Sequence, residues 1–284
     1  MRMTFIQRLP PPCHVYGGLE VTSYCGADDV RAALTPVLSR SPHDNILTLR
    51  ELAVPETEQI VGATLEYRAR GKEWQASLVS TPRLTFVSPV HEEILPDLVG
   101  LIRRGAPPEA EGALPVCAMD FMIPPLMQAW EQHTGQKSSS ILMIDYYLHH
   151  HGIMPDIPVH RESGRLELLA GGGKDAPDKA ADSRCYLWRD ARNVPSARMS
   201  IVTVGETGAF IAAYEGSRDP FQTFNHIADM TRALHSEGRW VGVAAFPDEA
   251  DKRRVSEALG YEKVGRYGVA VLQVSPTATA PAPR

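Results

Sequence analysis

The sequence has few cysteines, no long apolar run and no excess of positive charge, and each absence excludes a class of protein. Its four cysteines are far apart and form no CxxC pair, which argues against a disulfide framework or a structural zinc site and suits a reduced cytoplasm. No run of about 18 apolar residues is present, so no membrane-spanning helix is expected. With 29 Lys and Arg against 34 Asp and Glu, the chain lacks the basic character of nucleic-acid-binding proteins.

The remaining composition is that of a globular protein. The chain has 284 residues, of which 43% are hydrophobic, and this length suits two modest domains or one large one. The first eight residues lack the apolar stretch of a secretory signal, which again favours the cytoplasm. We predict an N-terminal α/β domain over 1–148, a crossover over 149–163, a second domain over 164–274 and a disordered tail over 275–284.

Hydrophobic periodicity predicts a mixed α/β chain. Apolar residues at helical spacing and turn residues at the ends predict helices over 28–38, 44–53, 91–103, 124–134, 220–236 and 248–259. Alternating or short apolar runs predict strands over 59–68, 73–80, 83–88, 116–119, 138–148, 165–169, 184–189, 198–204, 208–214, 239–246 and 261–274. The segment before residue 28 is interpreted as an irregular lead, opened by three consecutive prolines.

Three short segments carry a resemblance to a known family. Residues 184–190 read RCYLWRD, residues 259–267 read LGYEKVGRY, and residues 129–135 read AWEQHTG. They resemble, in this order, a strand, the closing strand and a helix end of bacterial GNAT-superfamily N-acetyltransferases that carry an extra N-terminal domain. The resemblance implies a GNAT-like C-terminal domain with a mixed sheet, and a smaller N-terminal α/β domain that is itself a candidate diverged GNAT-like half.

The resemblance also places a coenzyme A site, and the sequence departs from it there. The family loop [RQ]-x-x-G-x-[GA] holds the pyrophosphate at a helix N-terminus, and it aligns with residues 218–223, RDPFQT. Arg218 is retained, as a ligand or as the partner of an internal acid, whereas Phe221 and Thr223 replace the small residues. Pro220 removes one N–H donor. The family pattern further implies Ala212, Ala213 and Thr223 as cofactor contacts beside Arg218.

The catalytic end departs in the same way. Ser256 stands where many family members have a tyrosine that protonates the leaving thiolate, and a serine hydroxyl is much less acidic. Tyr214 and Glu215 end the strand at which the family's sheet opens, so the candidate catalytic residues are Tyr214, Glu215 and Ser256. Glu206 or a water chain is an alternative base. Only residues 171–183 replace the two helices that usually wall the acceptor pocket, so the N-terminal domain or a second subunit must close it, unless it is open.

Two functions follow from this resemblance. The first is acyl transfer from acetyl-CoA or another acyl-CoA, bound as a co-substrate rather than tightly, to the amine of a small metabolite. The alternative is a GNAT-fold protein that has lost coenzyme A and performs a different reaction on, or only binds, a small carboxylate or amine. We predict no metal site, since consecutive residues 149–151 of an extended strand cannot readily share one ion. We predict no nucleic-acid or membrane partner, and leave a homodimer open.

Overall fold

The computed structural model of the chain divides into two compact units, each built from separate stretches of sequence. Unit 1 comprises Met1–Asp44, Thr57–Met143 and Tyr267–Arg284, and unit 2 comprises Asn45–Glu56 and Ile144–Arg266. The structure describes residues 6, 9, 14–52, 59–106, 112–150, 154, 164–169, 183–204, 207–216 and 219–275. The division is not contiguous in sequence, because the segment Asn45–Glu56 groups with unit 2 and the segment Tyr267–Arg284 groups with unit 1.

Unit 1 is a sheet with helices formed by both ends of the sequence. Its strands are β1 (His14–Tyr16), β2 (Leu19–Cys25), β3 (Val61–Ala69), β4 (Lys72–Ser80), β5 (Thr85–Val87) and β6 (Gly112–Met119). Its helices are α1 (Ala27–Leu38), α3 (Leu95–Gly105) and α4 (Ile123–Thr134), while α2 (Ile46–Leu52) belongs to unit 2. The strands follow the order β1-β2-β3-β4-β5-β6, antiparallel except for the parallel pair β5 and β6.

Unit 2 has the same kind of sheet. Its strands are β8 (Arg165–Leu168), β9 (Ser183–Arg189), β10 (Pro195–Val204), β11 (Gly208–Glu215) and β12 (Trp240–Ala245), and its helices are α2, α5 (Pro220–Ser236) and α6 (Ala250–Ala258). They are ordered β12-β11-β10-β9-β8, with β11 and β12 parallel and the other pairs antiparallel. The series β9-β10-β11-α5-β12-α6 of unit 2 repeats the series β3-β4-β5-α3-β6-α4 of unit 1.

Two further strands have residues in both units. These are β7 (Ser138–His149) and β13 (Glu262–Val274). In unit 1, residues 267–274 of β13 pair antiparallel with β6, and in unit 2, residues 145–149 of β7 pair antiparallel with β12. Each sheet therefore receives a strand from a distant part of the sequence.

An apolar core joins the sheet of unit 1 to helices α3 and α4. Leu98, Leu101, Leu126 and Trp130 are fully buried within it. Helix α4 ends at Gly135, whose φ of 68° lies in the left-handed region that favours glycine. Because the two helices share this core, the space between them is filled with side chains.

The predicted mixed α/β class is confirmed, and the unpredicted strands lie at the beginning. Strands β1 and β2 occupy part of the lead that we interpreted as irregular, because Leu19 and Val21 alternate with exposed Glu20 and are fully buried. Among the described cysteines, Cys25, Cys117 and Cys185 are thiols that form no disulfide. In the part of the chain that the structure describes, no helix is long and apolar enough to cross a membrane. The predicted tail beyond Ser275 lies outside the described residues.

Candidate functional site

The two parallel strands of unit 2 separate before they end. Strands β11 and β12 are paired from Gly208 and Trp240 to Ile211 and Val243, which gives four residue pairs. Strand β11 continues to Glu215 and strand β12 continues to Ala245, but these later residues do not pair with each other. The sheet therefore opens beyond Ile211, and neighbouring backbone groups become available to a ligand.

A β-bulge lies at the opening. On strand β10, the neighbours Ser200 and Ile201 pair with Ala213 and Ile211, so Ala212 has no opposite residue. A bulge interrupts the ladder and changes the direction of the side chains that follow it. Ala212 therefore has no register partner on β10, at the point where the two parallel strands separate.

A cleft of about 330 Å³ occupies the opening, on the face covered by α5 and α6. The small side chains of Ala212 and Ala213 keep its β11 wall open. The cleft is lined by Ile211, Ala212, Ala213, Tyr214, Thr223, Ile227, Val243, Asp248, Glu249, Ala250, Asp251, Lys252, Val255 and Ser256. The predicted contacts Ala212, Ala213 and Thr223 are thus brought together, as are the candidate catalytic residues Tyr214 and Ser256.

The N-terminus of α5 is capped by the protein itself. The Asp219 carboxylate accepts a hydrogen bond of 3.0 Å from the backbone N–H of Phe221, and Pro220 at the first helical position has no N–H. A carboxylate thus occupies the end of the helix dipole that would otherwise attract an external anion. The Phe221 side chain is 69% exposed. Arg218, the predicted anion ligand, lies outside the described residues.

The N-terminus of α6 adds further negative charge to the cleft. Glu249 accepts a hydrogen bond of 2.9 Å from the backbone N–H of Phe246 and lies 3.4 Å from the Lys252 ammonium. Asp248 and Asp251 also line the cleft. Three carboxylates and one ammonium give the lining a formal charge of −2, which favours neutral or cationic ligands over a polyphosphate.

Ser256 and Glu215 occupy different environments. Ser256 is buried, and its hydroxyl donates a hydrogen bond of 2.9 Å to the carbonyl of Lys252. That proton is consequently directed into the helix and not into the cleft. Glu215 is exposed at the end of β11, opposite Arg198 of β10. The alternative base Glu206 lies outside the described residues.

Tyr214 is held by a buried histidine on α5. Its hydroxyl shares a hydrogen bond of 2.9 Å with Nδ1 of His226, and Nε2 of His226 lies 3.3 Å from the hydroxyl of Ser196. Gly216 permits this arrangement, since a Cβ there would lie 2.6 Å from the Tyr214 hydroxyl oxygen. The indole of Trp188 packs against the imidazole at a centroid distance of 4.5 Å. The partnership of His226 with Tyr214 is not visible in the sequence, because helical periodicity does not identify a partner on a strand.

Burial sets the protonation of this pair. It raises the pKa of Tyr214, against the opposing effect of a hydrogen bond with Thr223. It lowers the pKa of His226, against the opposing charge of Asp229. At neutral pH the phenol therefore keeps its proton and the imidazole is uncharged.

We predict that acid destabilises unit 2 through its buried histidines. Burial lowers the pKa of both His149 and His226, so below about pH 6.5 the unfolded chain binds protons that the folded protein does not. The unfolding free energy should fall with decreasing pH, by at most about 1.4 kcal/mol per pH unit for each histidine. Urea unfolding at several pH values tests this. His149→Asn should reduce the slope, whereas His133→Asn, at an exposed position on α4, should not.

Helix α2 covers the opposite face of the unit 2 sheet. It contacts β10, and Arg50 of α2 lies over the ring of Phe210 on β11. Phe210 in turn packs near Tyr146 of β7, with ring centroids 5.9 Å apart. The prediction that the N-terminal domain or a second subunit closes the pocket, unless it is open, stays a prediction; no residue of α2 lines the cleft on the α5 and α6 face.

Comparison with known structures identifies this architecture. A tandem GNAT protein from the clavulanic acid biosynthesis pathway is 15% identical, with a TM-score of 0.51 over 92% of this chain and 100% of its own. A GCN5-related N-acetyltransferase from Sphaerobacter thermophilus is 10% identical, with a TM-score of 0.53 over 94% and 99%. The fold is that of the GNAT acetyltransferases.

The likeness to a tandem GNAT protein extends over most of the chain, so the GNAT fold accounts for unit 1 as well as unit 2. A GNAT-family acetyltransferase from Colwellia psychrerythraea gives a TM-score of 0.51 at 7% identity, over 90% of this chain and 100% of its own. No protein-family model matches the sequence, and no curated protein matches it. At these identities the likeness establishes the GNAT fold, and the chemistry has to be argued from the cleft.

Proposed function

We propose that unit 2 transfers an acyl group from an acyl thioester, with acyl-CoA as the first donor to test, to the amine of a small metabolite. One observation carries this proposal: the bulge at Ala212 lies where β11 and β12 separate over a cleft. A backbone N–H released from a sheet is a fixed donor that can stabilise the oxyanion formed when an amine attacks a thioester carbonyl.

The residues around the cleft have distinct roles in this proposal. Ala212 and Ala213 receive the thioester arm, and Thr223 and Arg218 contact the far end of the donor. Tyr214 is the candidate acid of the cleft wall, because it keeps its proton at neutral pH and the Ser256 hydroxyl is bonded to Lys252. Ser256 then has a structural part in α6. Glu215, which is exposed, or water accepts the proton that the amine loses.

A second candidate function is supported by the cap on α5. The Asp219 carboxylate accepts the hydrogen bond from the backbone N–H of Phe221, and the cleft lining carries a formal charge of −2. Both features oppose a coenzyme A pyrophosphate. In this alternative the GNAT fold has lost coenzyme A and uses the cleft for a different reaction on, or the binding of, a small amine or carboxylate.

We further propose that the protein acts on small molecules in the cytoplasm. The three cysteines that the structure describes form no disulfide, which is usual for cytoplasmic proteins. The molar mass in solution, measured on the protein prepared for the assays below, shows whether it is a monomer or a homodimer.

Thermal-shift titration and a thiol-release assay separate the two functions. A ligand that binds only the folded protein stabilises it by RT ln(1 + [L]/Kd). We expect acetyl-CoA or S-acetylpantetheine at millimolar concentration to raise Tm, and a panel of primary amines to accelerate thiol release. Binding of amines or carboxylates with neither a thioester-induced shift nor thiol release would favour the second function. A shift with acetyl-CoA or S-acetylpantetheine, together with amine-dependent thiol release, would establish the first.

A further inference from the structure

Arg50 is a half-buried cation without a carboxylate partner among the described residues. Its guanidinium carbon lies 5.5 Å from the centroid of the Phe210 ring, a cation–π contact. Arginines in proteins commonly pair with carboxylates in a bidentate geometry, and a partly desolvated guanidinium gains from such a pair. In contact with the face of the Phe210 ring, Arg50 keeps the N–H groups at the guanidinium edge available to a ligand.

Arg50 lies close to the opening of the sheet, on the face opposite the cleft. Phe210 precedes Ile211, the last residue of β11 that pairs with β12. The Phe210 ring lies on the α2 side, because a Cβ at Gly242 would meet Phe210, Ile46 of α2 and Leu148. The cleft, in contrast, is lined by α5 and α6. A molecule bound at Arg50 would thus lie on the face of the sheet that the donor does not occupy.

We propose that the acceptor is an amine that carries a carboxylate, and that Arg50 binds this carboxylate beside the opening between β11 and β12. This inference rests on the acyl transfer proposed above. The amine nitrogen bonds to the thioester carbon, the carbon–sulfur bond breaks, the thiolate takes up one proton and the nitrogen loses one. Arg50 remains charged throughout, so it determines which acceptor is bound and not the rate of the chemical step.

Matched pairs of acceptors test this role. Each pair differs only in the carboxylate: L-lysine and cadaverine, L-leucine and isoamylamine, L-phenylalanine and phenethylamine. With wild-type protein and S-acetylpantetheine, we expect the amino acids to be the better acceptors. Arg50→Gln should raise KM for them by about 10- to 100-fold and leave kcat within about threefold. The carboxylate-free amines should be unaffected. Arg192→Gln, at an exposed turn of the same unit, is the matched control.

Binding of the amino acids in the absence of a thioester donor distinguishes a failure of the acyl-transfer proposal from a failure of the Arg50 proposal. By calorimetry, wild-type protein should bind the better amino acid, Arg50→Gln should not, and Arg50→Lys should retain part of the affinity. If no thioester is turned over while this pattern holds, acyl transfer is wrong and the carboxylate site stands. If transfer occurs but Arg50→Gln alters both acceptor classes equally, or neither, the Arg50 proposal is wrong. Arg50→Lys provides the same comparison if the glutamine variant does not fold.

Discussion

Replacing Ala212 with phenylalanine is expected to lower kcat/KM for acyl transfer by at least about 100-fold, since small displacements of a bound donor already have effects of this size. Ala212 forms the bulge and lines the cleft of about 330 Å³, so a phenyl group there would fill the space that the thioester arm needs. Because Ala212 is only half-buried, the phenyl ring can lie in the cleft without displacing core side chains, and the protein should still fold. Thiol release and Tm, measured on the same preparation, separate a blocked cleft from a misfolded protein.

Ala32→Phe is the control for this substitution. Ala32 is exposed on α1 of unit 1 and is not among the residues that line the cleft. Its replacement should change neither Tm nor activity. Full activity in Ala212→Phe would show that the acyl group does not pass this point of β11, and would contradict the role given to the bulge.

Removing negative charge from the cap of α5 and from the cleft lining is expected to strengthen acetyl-CoA binding by about 100-fold in the double variant Asp219→Asn/Asp248→Asn. Asparagine is as good a helix cap as aspartate, so the hydrogen bond from the Phe221 N–H is kept while the charge is lost. A screened repulsion of about 1.4 kcal/mol for each carboxylate corresponds to about tenfold in Kd. Calorimetry with acetyl-CoA and with uncharged S-acetylpantetheine measures both effects, and the neutral thioester should bind the variant and the wild type equally well.

Salt and a carboxylate of unit 1 supply the controls for this result. Higher ionic strength should improve acetyl-CoA binding to the wild type, because it screens the repulsion. Asp28→Asn, at a fully exposed side chain on α1, should leave the affinity unchanged. Micromolar binding of acetyl-CoA by the unmodified protein, without improvement in the double variant, would contradict our interpretation of the capped helix and restore an ordinary coenzyme A site.

Local patterns predicted most of the elements. The periodicity of apolar residues placed α4, α5 and α6 within a few residues of their observed bounds, because each helix buries one continuous stripe. The strands that correspond to β10 and β11 were also predicted, over 198–204 and 208–214. Strands β1 and β2 were not, since three prolines dominate the composition of that segment while only Leu19 and Val21 mark the buried face of β2.

The site was less accessible to sequence reasoning, because its geometry depends on residues that are far apart in the chain. The alignment brought Ala212, Ala213, Thr223 and Ser256 to one cleft, but a bulge depends on the register with β10. The partnership of Tyr214 with His226 depends on how α5 packs across β11. The assignment of α2 to unit 2 depends on contacts between residues separated by more than 100 positions, which no local pattern records.

The pairing of β13 with β6 has a consequence for the way the protein is synthesised. The sheet of unit 1 is completed by residues 267–274, which pair with β6 at residues 112–119. During translation, most of unit 1 leaves the ribosome while this partner strand has not yet been made. Until the codons for residues 267–274 are read, one edge of β6 has unsatisfied backbone groups, the situation that promotes aggregation of nascent chains. Unit 1 therefore cannot mature before β13 is made, and ribosomal pausing between residues 119 and 267 would prolong the exposure of that edge.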